Sequence, residues 1–176
     1  MKQLMIALAL AGTVAGNAAA AEVRTVPTVD LAAYMGTWYE QARLPMYFQR
    51  KCDSHTTAQY SLRPDGRVDV VNRCDTHDGE QIEARAVART VDGSNARLEV
   101  RFAPAFLSFL PFVWGDYWII GLDDDYRWSV VGSPDRKYLW ILSRDKRLPD
   151  ATYQQLVDLA KAQGFDTSRL VRTRQG

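Results

Sequence analysis

The chain has almost no excess of charge: 22 Lys and Arg side chains face 21 Asp and Glu, for a formal net charge of +1 over 176 residues. Binding a phosphate backbone requires a concentrated positive face, so no nucleic-acid partner is expected. Cysteine and histidine are scarce, with two of each. No Gly-X-Ser-X-Gly stretch occurs and no Ser-His-Asp grouping stands out, which leaves acyl-transfer chemistry without a nucleophile. The apolar stretch at residues 4–14 is shorter than the ~20 residues of a membrane-spanning helix. Internal repeats, low-complexity linkers and a composition break are also missing, so one domain is expected.

Apolar and aromatic residues are plentiful. Hydrophobic residues make up 47% of the chain, and its 8 Tyr, 6 Phe and 5 Trp suffice for a large core, a lined cavity, or both. The first segment has the layout of an export signal: Lys2, the apolar stretch at 4–14, then small residues ending in Ala19-Ala20-Ala21. Cleavage before Glu22 is predicted, giving a signal peptide at 1–21 and a single domain at 22–176. Lys2 is the only charged side chain removed, so the mature chain is formally neutral. No cysteine precedes Cys52, so a lipidated N-terminal cysteine is not expected. The expectation is a protein secreted across the inner membrane and soluble in the periplasm.

The remainder reads as short alternating or apolar segments punctuated by turns. Strands are predicted over 38–44, 56–62, 68–72, 82–91, 96–103, 117–122, 128–131 and 138–143. Arg63-Pro64-Asp65-Gly66 and Asp92-Gly93-Ser94-Asn95 supply hairpin reversals. A helix follows, opened by Pro149 and Asp150, carried through 151–162 and stopped near Gly164. Leu156, Val157 and Ala160 share its apolar face, with Leu159 at the margin, and this face is expected on the outside of the sheet. About eight antiparallel strands can close and so remove their edges. The expected fold is all-β: an eight-stranded up-and-down barrel with a C-terminal α-helix.

Three segments then carry a family resemblance. Gly36-Thr37-Trp38-Tyr39-Glu40 resembles the Gly-X-Trp signature on the first strand of lipocalins. Gly115-Asp116-Tyr117 is similar to their second signature segment, and Tyr138-Leu139-Trp140-Ile141-Leu142-Ser143-Arg144 to the last strand and its arginine. Their order, with a leader before and a helix after, resembles the bacterial lipocalins, those of the outer membrane most of all. The resemblance implies that Gly36, Trp38 and Arg144 form the closed end of the barrel, with Arg144 packed on Trp38. It also puts the 44–51 and 103–115 connections at the open mouth.

The ligand-lining residues expected from strand alternation and the mouth are Ala58, Tyr60, Val70, Ala84, Phe102, Phe106, Phe109, Tyr117 and Trp140. Apolar walls with a few polar groups suit a fatty acid or lysophospholipid, with Arg43, Arg50 and Lys51 as candidates for an anionic head. Seven large apolar residues within 103–115 suggest cavity cover, ligand contact or transient membrane contact. Glu40 reads as either a functional polar site or a hydrogen-bonding group in the wall.

Export supplies an oxidising compartment, so Cys52 and Cys74 are expected to pair. The rival is zinc, since Cys52-Asp53-Ser54-His55 and Cys74-Asp75-Thr76-His77 are both Cys-X-X-His. Oxidation would remove both thiolates, so no metal and no cofactor are expected. The predicted function is non-catalytic binding with transport or storage of small hydrophobic ligands in the bacterial cell envelope. A lipid-modifying enzyme on the same barrel and an envelope protein-interaction module are the alternatives. Oligomeric state is left open.

Overall fold

A computed structural model describes residues 21–102 and 113–176 of the chain. The strands are β1 (Gly36–Arg43), β2 (Cys52–Leu62), β3 (Val68–Thr76), β4 (Gln81–Thr90), β5 (Arg97–Arg101), β6 (Gly115–Leu122), β7 (Trp128–Gly132) and β8 (Leu139–Ser143). Each pairs antiparallel with its sequence neighbours, and β1 pairs with both β2 and β8, closing an eight-stranded barrel. A short helix α1 (Leu31–Tyr34) precedes β1, while α2 (Asp150–Ala162) and a two-residue strand β9 (Val171–Arg172) follow β8.

The strand sequences differ because the barrel wall is covered on only one side. Along β6 to β8 both faces are buried. Ile119, Val131 and Leu142 point into the barrel, whereas Ile120, Val130 and Ile141 join Leu156, Ala160 and Phe165 in a second core outside it. Burial on both faces accounts for the continuous apolar runs of these strands. β2 to β4 have an outer face that meets water, and the polar Gln59, Arg73, Glu83 and Arg85 alternate there with inward residues.

Strand ends shift for local reasons. β2 starts at Cys52 instead of 56, through register shifts around Ser54 to Thr57 and a left-handed His55 (φ 51°). β3 runs on past Asn72 to Thr76, because its polar end still pairs with β2 and β4. β5 ends at Arg101, short of the expected 103. In the second hairpin the left-handed residue is Asn95 (φ 58°), while Asp92 accepts from the Ser94 amide.

Helix α2 ends in a complete Schellman closure: Phe165 N donates to Ala160 O and Gly164 N to Lys161 O, with Gly164 at φ +86°. Phe165 is thereby driven onto the barrel over Gly132, where an added Cβ would lie 2.5 Å from its ring. Leu156 and Ala160 are fully buried, and Val157 and Leu159 flank them. Among the described residues no helix is long and apolar enough to cross a membrane.

One end of the barrel is sealed. Asp30 caps α1 by accepting from Ala32 N at 2.8 Å, and the Trp38 indole donates to Tyr34 O at 2.9 Å. The Arg144 guanidinium lies 3.9 Å from the centroid of the fully buried Trp38. It also donates to the carbonyls of Ala33 (2.9 Å), Met35 (2.7 Å) and Thr37 (3.0 Å), at the end of α1 and the start of β1. Gly36 adopts φ +95°, and a Cβ there would sit 3.2 Å from Arg144 Nη1. The Arg144→Met substitution strands these carbonyls and is expected to cost about 2–4 kcal/mol in urea unfolding. A loss below about 0.5 kcal/mol would mean that Arg144 does not brace the base.

Candidate functional site

Alternation on eight strands leaves a cavity of about 780 Å³ inside the barrel. Its walls are mostly apolar: Val68, Val70, Ala84, Ala88, Leu98 and Val100 from β3 to β5, with Trp140 and Leu142 opposite on β8. Tyr47, Phe48 and Gln49, in a 3₁₀ turn of the 44–51 connection, stand at its mouth with Phe102. Small-molecule sites commonly occupy ~300–1,000 Å³ and are lined in this way.

The floor is a chain of hydroxyls. Tyr60 OH lies 2.9 Å from Tyr117 OH, which lies 3.0 Å from Tyr34 OH, which lies 2.9 Å from Ser129 Oγ. Each hydroxyl finds a partner within the chain, so the tyrosines satisfy one another and show the cavity mainly ring surface. Burial pushes Tyr34 up to about 12 and raises Tyr60 and Tyr117 well above the usual phenol value, so all three stay protonated in neutral solution.

Near the mouth a polar relay is built around Glu40, which is 2% exposed. Glu40 accepts from Gln49 Nε2 and Thr173 Oγ1, both at 2.5 Å, and from Arg43 Nη1 at 3.2 Å. Gln49 Oε1 in turn accepts from the Trp140 indole at 3.2 Å, tying the mouth turn to the wall.

The C-terminal tail completes this wall. β1 and β2 pair only up to Tyr39 and Thr57 and then part, and the tail enters the gap. Thr173 N donates to Gln41 O (3.0 Å), His55 N to Arg174 O (2.7 Å), and Gln175 Nε2 to both Glu40 O (2.6 Å) and Thr56 O (2.8 Å). Arg174 also pairs with Asp53. The sequence reading missed this insertion. Val171 to Arg174 carries no apolar alternation strong enough to mark a strand, and its partners lie 119–135 residues away.

Of the residues expected to line the cavity, Ala58, Tyr60, Val70, Ala84, Phe102, Tyr117 and Trp140 all do so. Phe106 and Phe109 lie outside the described residues. Cys52 and Cys74 are bonded to each other at the rim, with Cα atoms 5.5 Å apart. Their thiolates are therefore unavailable to zinc, and His55 instead faces Asp75 at 3.0 Å. The three cations expected to meet a head group do not line the cavity. Arg43 turns into the wall to offset Glu40 and to donate to Cys52 O, and Arg50 and Lys51 are exposed. Glu40 is thus part of a buried network that also reaches the cavity surface.

Fold and cavity together define a one-ended β-barrel built to enclose a small apolar molecule. The family model of the lipocalin-like domain matches residues 29–175, and the chain belongs to the lipocalin family. It is 41% identical over 157 residues to temperature-induced lipocalin-1 of Arabidopsis thaliana, covering 88% of this chain and 83% of the relative. It is also 41% identical over 156 residues to outer membrane lipoprotein Blc of Citrobacter freundii, covering 87% and 83%. Among solved structures, the cockroach allergen Per a 4 superposes with a TM-score of 0.66 at 19% identity, covering 88% of this chain and 94% of that one.

Plant and bacterial relatives match equally well, so the membership is in the family at large and not in the bacterial outer-membrane group alone. Lipocalins are characteristically non-catalytic carriers of small hydrophobic molecules, and this chain has their fold. The expectation of a soluble periplasmic protein is corrected by the bacterial relatives, which are outer membrane lipoproteins by name. A missing early cysteine speaks to one mode of attachment and does not fix the compartment.

Burial holds the Glu40 carboxyl above its ordinary value of 4.5, and bonds from Thr173, Gln49 and Arg43 only partly offset this. A carboxyl raised on folding contributes stability that is full below 4.5 and is lost as pH climbs through the folded value. The stability of wild type relative to Glu40→Gln is therefore expected to fall as pH rises from 4 towards 8, as read by urea midpoints. A relative stability that is flat or rises over that range would show that the network favours the charged form.

Proposed function

We propose that this lipocalin binds a single-chain amphipathic lipid, of the fatty acid or lysophospholipid class, and carries or stores it in the bacterial cell envelope. The observation that carries the reading is the cavity: about 780 Å³, apolar-walled, sealed at the Trp38 end and open at the other. Each tail methylene withdrawn from water contributes roughly 0.8 kcal/mol before the costs of binding are subtracted. A sugar or nucleotide would gain little from such walls. Ala58, Tyr60, Val70, Ala84, Phe102, Tyr117 and Trp140 form the ligand contacts in this reading, and Phe106 and Phe109 complete the proposed set.

Loading and release take place at a membrane surface. Tyr47 (76% exposed), Phe48 (51%) and Phe102 (52%) support this, because they present aromatic rings to solvent around the mouth. The leader at residues 1–21 supports export with processing before Glu22, leaving one domain at 22–176. The envelope setting also draws support from the relative named outer membrane lipoprotein Blc.

The test is saturation with a fluorescent fatty acid. One binding site per chain is expected, with micromolar or tighter affinity. Ala84 faces open cavity space, so Ala84→Trp fills the cavity without disturbing the fully buried residues. It is expected to weaken binding at least about tenfold while the thermal midpoint stays within a few degrees. Equal affinity in the two proteins would place the probe outside the barrel.

A further inference from the structure

Arg50 and Lys51 are exposed at the mouth and take no part in lining the cavity. Neither has an ion-pair partner among the described residues. They follow closely on two rings that also face solvent, Tyr47 and Phe48, and the 44–51 connection holds no Asp or Glu to offset them. The rings open a continuous aromatic path. Between ring centroids, Tyr47 lies 5.3 Å from Phe48, Phe48 5.4 Å from Tyr138, and Tyr138 6.1 Å from Trp140 on the cavity wall. Ring surface thus joins bulk solvent to the interior on this side of the mouth.

The charges of the rim are unevenly placed. The 133–138 connection, which meets the 44–51 connection through Tyr138 and Phe48, supplies Arg136 and Lys137 against the carboxylate of Asp135, itself paired with Lys137 at 2.9 Å. Together the two connections carry four basic side chains and one acidic one. On the other flank, beyond β2, the 77–80 turn between β3 and β4 carries Asp78 and Glu80, both exposed, and no Lys or Arg. One sector of the mouth is therefore aromatic and basic, and its neighbour is acidic. Exposed rings beside Lys and Arg match a phospholipid surface of negative charge, where rings settle at the headgroup level and cations meet phosphates.

We infer that the 44–51 and 133–138 connections seat the mouth, tilted off its axis, on an anionic phospholipid bilayer, with the 77–80 turn lifted away from the surface. Arg50 and Lys51 thus serve the bilayer and not the bound lipid. An acyl chain leaving the bilayer meets the aromatic path at its outer end. The inference rests on the lipid-carrier reading and adds to it the surface at which loading takes place.

Co-sedimentation of the purified protein with vesicles tests it, using phosphatidylcholine alone or with about 30% phosphatidylglycerol, in about 0.1 M salt. Binding to the anionic vesicles is expected to be at least about tenfold tighter, each cation contributing about fivefold, and to weaken as salt rises. Arg50→Gln with Lys51→Gln is expected to bring the two vesicle types within about twofold of each other, while uptake of a fluorescent fatty acid in vesicle-free solution is unchanged. Asp78→Asn with Glu80→Gln is expected to change anionic-vesicle binding by less than about twofold. Equal binding of the wild type to both vesicle types, or an anionic preference that survives the loss of Arg50 and Lys51, overturns the docking surface. A gain on neutralising Asp78 and Glu80 as large as the loss on neutralising the cations overturns the tilt. Failure to take up any fatty acid, with anionic docking intact, overturns the carrier reading instead.

Discussion

Arg144 lying on Trp38 is the contact that makes this barrel a cup. A ring of eight strands is open at both ends, and apolar ligands gain most from a space that excludes water on all sides but one. Here a single guanidinium covers the indole and gathers three carbonyls from the end of α1 and the start of β1. Helix α1 thereby becomes the plug, its Tyr34 hydroxyl reaching up to begin the tyrosine floor. Glycine suits position 36 because its φ of +95° would strain any other residue and an added Cβ would crowd that guanidinium at 3.2 Å.

From this base the cavity rises between two unlike halves of wall. The half formed by β6 to β8 is backed by α2 and Phe165 and is rigidly packed on both faces. The half formed by β2 to β4 has water behind it and lines a large part of the cavity. Its upper edge needs other supports: the Cys52–Cys74 bond at the rim, and the C-terminal tail laid into the gap between β1 and β2. Closing the roughly 22-residue loop between the cysteines is worth about 3 kcal/mol in the chain-entropy view. Glu40 sits where tail, mouth turn and wall converge, so its hydrogen bonds link the three.

The barrel was legible in the sequence because alternation, turn residues and burial on both faces of β6 to β8 are local signals. The Trp38–Arg144 pair followed from a family resemblance in two short segments, and the inward set from Ala58 to Trp140 from strand parity. Other features left no local trace. Helix α1 is four residues long, too short for a periodic signal, and is announced only by the Asp30 cap. The tail insertion and the Glu40 network join positions more than a hundred residues apart, which no window of sequence reports. Arg43 was read as a mouth cation because its charge is visible in sequence, whereas the buried carboxylate that claims it is visible only in three dimensions.

The central claim is that the cup holds one lipid chain. Native mass spectrometry of the protein purified from bacterial cells, followed by denaturation and identification of the released mass, tests it most directly. The expected result is one single-chain lipid per protein chain, released when the barrel unfolds. A bare chain that also takes up no lipid from a panel of acyl chains and head groups would contradict the account and leave the cavity without its occupant.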